Sequence, residues 1–69
     1  MKKRPANCRV VIKDFEHVQG NIWWLYLVDV DTLEHFETKL SFWEDNIIDK
    51  LYDTMKWKKV VYLAEMYRW

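Results

Sequence analysis

Residues 22–30 read Ile-Trp-Trp-Leu-Tyr-Leu-Val-Asp-Val, a run that is apolar without interruption until Asp29. Its residues are β-branched, aromatic or leucine, the types that fit a pleated and packed surface. A half-buried strand would alternate apolar and polar residues, and this stretch does not alternate before its end. The run therefore predicts the central strand of a small sheet, with both of its faces covered.

The segment before this run predicts a first strand that pairs with it as a hairpin. Cys8, Val10 and Ile12 share one face, and a bulge near Lys13 would return Phe15 to that face. Residues 19–21 are Gln-Gly-Asn, and Gly and Asn accept positive φ most readily, so they predict the turn.

The segment after the run predicts a second turn and a third strand. Residues 31–34 begin with Asp and Thr, whose side chains bond nearby backbone N–H groups. Residues 35–40 then alternate, with Phe36, Thr38 and Leu40 facing inward. The three strands make an antiparallel meander.

A helix is predicted next. Ser41 and Glu44 match a capping box, in which each side chain bonds the backbone N–H of the other residue. The apolar residues that follow recur at spacings of three and four, and the predicted buried stripe is Trp43, Ile47, Ile48, Leu51 and Met55.

One helix can cover only one face of the sheet. We expect Trp24, Tyr26 and Val28 to pack against the helix, with Trp24 and Trp43 in the core. The opposite face then carries Trp23, Leu25 and Leu27. Nothing else in the chain would cover that face, so it predicts a contact with a target protein or with a second copy in a homodimer.

Residues 58–69 fit two structures. As a helix, they would form a stripe of Val60, Leu63, Ala64 and Tyr67; as a strand, their β-branched and Tyr-rich start is favourable. A strand beside the first strand is the prediction. The predicted fold is α+β, ordered β-β-β-α-β, with a frayed basic tail at residues 1–7 and a single domain at residues 8–69.

The composition limits the class of protein. The chain has 69 residues, 17% of them aromatic, and a single Cys. A lone Cys8 forms no internal disulfide, which favours a reducing, cytoplasmic compartment. The longest apolar run is far shorter than the ~20 residues that a membrane helix needs, so no membrane partner is expected.

Catalysis and metal binding are not predicted. Cys8, His17 and His35 are the candidates for nucleophilic chemistry, but Cys8 and His17 lie at opposite ends of one predicted strand. No Cys-x-x-Cys or Asp-x-Asp-x-Asp-Gly spacing occurs. We therefore expect a non-enzymatic protein without a cofactor.

The charges are segregated although the formal net charge is +0. Residues 1–13 are basic, residues 14–53 are mostly acidic, and residues 54–69 are basic again. Asp45, Asp49 and Asp53 are spaced to share one helix face, where like charges repel unless a basic partner relieves them.

The predicted function is a small protein-binding module, an inhibitor or regulator of the kind that phages and mobile elements carry. Exposed aromatic residues and the acidic helix face would bind the partner protein. The predicted contact residues are Trp23, Leu25, Leu27, Glu44, Asp45, Asp49, Asp53, Trp57 and Trp69.

Single-stranded nucleic acid is the alternative partner. Basic residues at both ends of the chain are interleaved with aromatic residues, as in grooves that hold single strands. The candidate contact residues are Lys2, Lys3, Arg4, Arg9, Lys56, Lys58, Lys59 and Arg68. The pI of 6.7 and the single Gly are unfavourable for the common RNA-binding modules.

Overall fold

A four-stranded antiparallel sheet with two helices against one of its faces forms the fold in the computed structural model, which describes residues 7–69. The strands are β1 (Arg9–Gln19), β2 (Ile22–Asp29), β3 (His35–Ser41) and β4 (Val61–Tyr62). The helices are α1 (Ile47–Lys56) and α2 (Leu63–Met66). The strand order is β3-β2-β1-β4, which confirms the α+β meander and the terminal strand beside β1.

The hairpin of β1 and β2 follows the sequence closely. Gly20 has φ +52° in the turn, the conformation in which its lack of a Cβ matters. The register shifts between Ile12 and Asp14, which confirms the bulge at Lys13. Beyond the bulge, Phe15 lies opposite Leu25 and packs against the core.

The turn between β2 and β3 is built around the buried carboxylate of Asp29. One oxygen, Oδ1, accepts the backbone N–H groups of Asp31 at 2.9 Å and Thr32 at 3.2 Å. The other oxygen, Oδ2, accepts the Cys8 thiol at 3.1 Å. Leu33 completes the turn with φ 62°, and its N–H donates to the Asp29 carbonyl. The Asp29 side chain therefore joins this turn to the start of β1.

We expect Asp29→Ala to lower the free energy of unfolding by about 2 kcal/mol, because it removes the acceptor of two partly buried turn N–H groups and of the buried Cys8 thiol. Asp29→Asn is the matched control, since its amide oxygen still accepts from the turn N–H groups, and it should lose less than half as much. Urea unfolding of both variants measures the difference. Equal losses would contradict a role for the carboxylate as an acceptor in this turn.

The two faces of β2 are the reverse of the sequence prediction. Trp23, Leu25 and Leu27 are buried against the helices, and Trp24 and Tyr26 lie partly exposed on the other side. The cause is the pairing: Leu27 lies opposite both Ile12 in β1 and Phe36 in β3, whose inward faces were predicted correctly. One sheet face thus gathers the apolar side chains of all three strands. The buried hydrophobic residues are Cys8, Val10, Ile12, Trp23, Leu25, Leu27, Phe42, Ile47, Leu51, Leu63, Met66 and Trp69.

The predicted capping box at Ser41 is wrong. Ser41 is the last residue of β3, opposite Ile22, and the residues directly after it are not helical. Helix α1 begins only at Ile47, after Asn46. The Glu44 carboxylate instead accepts the Asn46 N–H at 3.5 Å.

The apolar stripe of α1 is correct in its centre and wrong at two positions. Ile47 and Leu51 are buried and Met55 is half-buried against the core, as predicted. Trp43, however, is 82% exposed and Ile48 is 55% exposed. Because the strand continues through Ser41, the neighbouring Phe42 takes the core position expected for Trp43. The inward-facing aromatic residue of this segment is therefore Phe42 and not Trp43, one position earlier than predicted.

Both structures considered for residues 58–69 occur in part. Val61 and Tyr62 form β4 opposite Val10 and Arg9, and the chain turns at once into α2. Leu63 is the first residue of α2 and is buried, and its N–H donates to the Cys8 carbonyl. The strand is therefore much shorter than predicted, because the apolar residues after Tyr62 return to the core as a helix.

No helix within residues 7–69 is long and apolar enough to span a membrane.

Candidate functional site: the outer face of the sheet

The face of the sheet that points away from α1 and α2 is the candidate site, here called the outer face. It carries the alternate residues of β2, which are Ile22, Trp24, Tyr26 and Val28, all of them partly exposed. No helix of the described chain packs on it, since both helices join the core on the opposite side. The reasoning that one face lacks cover was sound, and the residues assigned to that face were wrong.

Acidic residues of the neighbouring strands surround the two aromatic rings. Asp14 and Glu16 of β1 lie opposite Tyr26 and Trp24, and Glu37 of β3 lies opposite Tyr26 from the other side. These five residues are called the aromatic-acidic cluster below. Strand pairing alone brings them together, although their sequence separation reaches 23 positions.

Hydrogen bonds hold the two rings in place. The Trp24 indole Nε1–H donates to Glu37 Oε2 at 3.0 Å, and the Tyr26 hydroxyl donates to Glu16 Oε1 at 2.6 Å. The ring centroids lie 6.3 Å apart at 66°, an edge-to-face arrangement. Lys39 Nζ lies 5.7 Å from the centroid of the Trp24 ring, within the range of a cation–π contact. The outer face already accepts one cation on its aromatic surface.

The carboxylates perturb the tyrosine. The hydrogen bond to Glu16, followed by desolvation and the charges of Glu16, Glu37 and Asp14, raises the pKa of Tyr26 from 10.0 to about 12. Ionising the hydroxyl would remove the donated hydrogen bond and place a phenolate beside carboxylates. The folded chain therefore gains stability from this pair below pH 10, and that gain disappears as the pH rises through about 12.

We expect Glu16→Gln to lower the pKa of Tyr26 from about 12 towards its ordinary value of 10.0, because the amide is a weaker acceptor for the tyrosine hydroxyl than the carboxylate and carries no charge. An NMR titration of the tyrosine ring carbons measures the change, with Tyr26→Phe used to assign the signal. Glu65→Gln, on α2, is the control and should leave the pKa unchanged. A Tyr26 that titrates near 10 in the unsubstituted protein would contradict the hydrogen bond.

A groove of about 590 Å³ opens beside the cluster. It is lined by Lys13, Asp14, Glu16, Tyr26, Leu27, His35, Phe36 and Glu37. Lys13 Nζ and His35 Nδ1 lie 3.5 Å apart at its rim. The groove is wide open, and within residues 7–69 no group of three or more His, Cys, Asp or Glu is arranged to hold a metal ion.

Four of the predicted contact residues are not accessible. Trp23 is 9% exposed, Leu25 and Leu27 are almost fully buried, and Trp69 is 7% exposed. Trp23 packs against Phe15, with ring centroids 5.8 Å apart. The prediction that these residues form an interface is wrong, because they build the core.

The predicted acidic helix face is only partly formed. Asp49 and Asp53 lie exposed on α1, whereas Glu44 and Asp45 precede the helix, in the segment that connects β3 to α1. Asp53 Oδ2 accepts a hydrogen bond from Lys59 Nζ at 2.9 Å, and this bond lowers the pKa of Asp53. Lys59 therefore offsets the charge of one of the two carboxylates that lie on α1. Trp57 is 64% exposed, as predicted for an anchor.

Some of the predicted basic contact residues are paired within the chain and others are exposed. Arg9 pairs with Asp31, which raises the pKa of Arg9, and Lys59 pairs with Asp53. Lys56 Nζ lies 5.5 Å from the Trp57 ring centroid, while Lys58 and Arg68 are exposed. Lys2, Lys3 and Arg4 lie outside the described residues. The described parts of the two basic segments meet in space, since β4 lies beside the start of β1.

Sequence reasoning missed the aromatic-acidic cluster because it placed Trp24 and Tyr26 under the helix. A signal was present: the alternation of β3 assigns Phe36 to the core, and a short turn between β2 and β3 places Phe36 opposite Leu27. Aligning the inward faces of the flanking strands across β2 would have identified the outer face. The same alignment would have placed Glu16 opposite Trp24 and Glu37 opposite Tyr26 on that face.

Comparisons of the chain with protein-family models, with curated proteins and with solved structures find no match.

Proposed function

We propose that the protein is a small non-enzymatic binding module that holds a basic, extended segment of a partner protein against the outer face of its sheet. The observation that carries this proposal is the aromatic-acidic cluster, where the partly exposed Trp24 and Tyr26 lie among Asp14, Glu16 and Glu37. In this proposal the protein acts in the cytoplasm as an inhibitor or regulator by occupying its partner.

The chemistry of the cluster suits guanidinium and ammonium groups. A cation over Trp24 gains attraction from the ring, and nearby carboxylates accept its hydrogen bonds. Arg suits such a site better than Lys because its planar group stacks on rings and pairs with a carboxylate through two hydrogen bonds. Lys39, 5.7 Å from the Trp24 ring, shows the contact within the chain itself.

Binding of a hexa-arginine peptide tests this proposal. We expect the Glu16→Gln and Glu37→Gln double variant to bind it at least about tenfold more weakly, with a smaller dependence on salt, since charged hydrogen bonds contribute about 1.5–3 kcal/mol each. The control is the Asp45→Asn and Asp49→Asn double variant, which removes the same charge from the region of α1. Equal losses in both double variants would overturn the assignment to the outer face.

The rings are tested separately by fluorescence. We expect the peptide to change the emission of the protein, and Trp24→Phe to abolish that change. Trp43→Phe is the matched control, because Trp43 is 82% exposed and lies outside the strands. A hexaglutamate peptide should give no signal. Retention of the full change in Trp24→Phe would contradict the proposal.

Single-stranded nucleic acid is the alternative partner, favoured by the exposed Trp57 with Lys56 5.5 Å from its ring. An oligonucleotide would engage these residues and not the outer face, whose carboxylates repel phosphates. A gel shift with single-stranded DNA at two salt concentrations separates the two proposals. Binding of DNA that Trp57→Ala abolishes, together with no peptide binding, would support the alternative.

A further inference from the structure

Strand β3 forms an open edge of the sheet. Within residues 7–69 it pairs only with β2. The Asp29 N–H donates to the Glu34 carbonyl at 2.8 Å, and the Phe42 N–H donates to the Asn21 carbonyl at 2.9 Å, one pair at each end of the ladder. Glu34 and Phe42 therefore turn these backbone groups towards β2. Because the direction alternates from residue to residue along an antiparallel strand, every second residue between them turns its backbone groups to the open edge. These residues are His35, Glu37, Lys39 and Ser41.

The opposite edge of the sheet is interrupted, and β3 is not. Among residues 7–69, the outer side of β1 pairs only through Arg9 and Val10, and the register of β1 against β2 shifts twice further on. Such bulges block the addition of another strand. All seven residues of β3 pair with β2 without a shift. The edge at β3 is thus regular enough to receive a strand.

We propose that this edge binds the same edge of a second copy, as an antiparallel pair of β3 strands about a two-fold axis at Thr38. In this register Glu37 lies opposite Lys39 of the second copy, and Phe36 lies opposite its Leu40. By symmetry each of these pairs occurs twice. The result is one continuous sheet across both copies.

The charge pattern selects this register. Only residues whose backbone groups face the open edge form hydrogen-bonded pairs across it. Because these are every second residue of β3, the possible registers of the two strands differ by two residues. One neighbouring register places Glu37 opposite Glu37 of the second copy, and the other places Lys39 opposite Lys39. Like charges directly opposite each other are destabilising. The register at Thr38 is the one that pairs every Glu37 with a Lys39.

The side chains on both faces suit the pairing. Phe36 and Leu40 are only partly buried in a single copy and pack at the margin of its core, so the second copy would cover them. On the outer face, Trp24 engages one Glu37 oxygen, Oε2, and a carboxylate accepts at both of its oxygens. A contact of one strand pair is small, so the dimer is expected to be weak.

Sedimentation equilibrium up to millimolar protein tests the proposal, without any peptide present. We expect dimers. Glu37→Lys or Lys39→Glu alone should raise the dissociation constant of the dimer about tenfold, since each substitution places like charges opposite each other in both symmetry-related pairs. The double swap restores the pairing, and a mixture of the two single variants forms a heterodimer. Glu65→Lys and Lys56→Glu make the same charge changes on α2 and α1 and should have no effect.

Amide hydrogen exchange provides a readout that needs no substitution. The Glu37 and Lys39 amides should gain protection as the protein concentration rises, while the Thr38 amide, which faces β2, should be protected throughout. A protein that stays monomeric at millimolar concentration, or a dimer that both single variants leave intact, would overturn the inference. Neither result depends on whether the outer face binds a basic segment.

Discussion

Leu25→Ala is expected to lower the free energy of unfolding by about 3 kcal/mol or more, within the range for truncating a buried leucine. Leu25 is 0% exposed and lies in the middle of β2, between Phe15 in β1 and Thr38 in β3. A domain of 69 residues has a total stability of only about 3–10 kcal/mol. This one substitution should therefore remove a large part of the stability of the fold.

Urea unfolding followed by circular dichroism measures this loss. The matched control is Leu33→Ala, because Leu33 is 74% exposed in the turn and alanine meets the same positive φ there. The control should change stability by less than about 0.5 kcal/mol. If Leu25→Ala were as mild as the control, the helices would have to cover the other face of β2, as the sequence had suggested.

The two faces of β2 were the part of the sheet that the sequence predicted wrongly. Local patterns specified the hairpin at Gly20, the bulge at Lys13 and the alternation of β3, because turn chemistry and period-two burial act over a few residues. The continuous apolar run of β2 has no polar residue to mark a face before Asp29. Its orientation depends on the register with both neighbours, which is a tertiary property.

The start of α1 was mispredicted for a related reason. Ser41 and Glu44 satisfy the spacing of a capping box, but Ser41 already pairs with Ile22 at the end of β3. The strand is favoured over the cap because the next residue, Phe42, is buried in the core, where it is only 2% exposed. Burial of a large aromatic side chain outweighs a cap that contributes about 1 kcal/mol.

The spacing of residues within any one segment does not identify the candidate site, because pairing across three strands assembles it. Glu16 and Glu37 lie on either side of Trp24 and Tyr26 only when β1, β2 and β3 are in register. The residues predicted instead, such as Trp23 and Trp69, were chosen because tryptophan is common at interfaces. That preference does not distinguish an exposed tryptophan from one that fills the core of a small domain.

Trp69 gives the second large expected effect, since Trp69→Ala should destabilise the fold by about 3 kcal/mol or more. Its ring is 7% exposed, lies 6.3 Å from the Phe42 ring and 4.7 Å from Lys50 Nζ. Its carbonyl also accepts the N–H groups of Trp43 and Glu44 at 2.7 and 3.2 Å. These contacts join the last residue to the segment that connects β3 to α1.

The control is Trp43→Ala, the same substitution at a ring that is 82% exposed, which should cost less than about 0.5 kcal/mol. Trp69→Phe should fall between the two, because it keeps an aromatic contact with Phe42 and loses part of the buried area. Thermal and urea unfolding rank the three variants. Equal effects of Trp69→Ala and Trp43→Ala would mean that Trp69 is available to a partner, as an exposed anchor would be. The expected order instead makes residue 69 part of the core, which favours the exposed Trp57 and the partly exposed rings of the outer face as contacts for a partner.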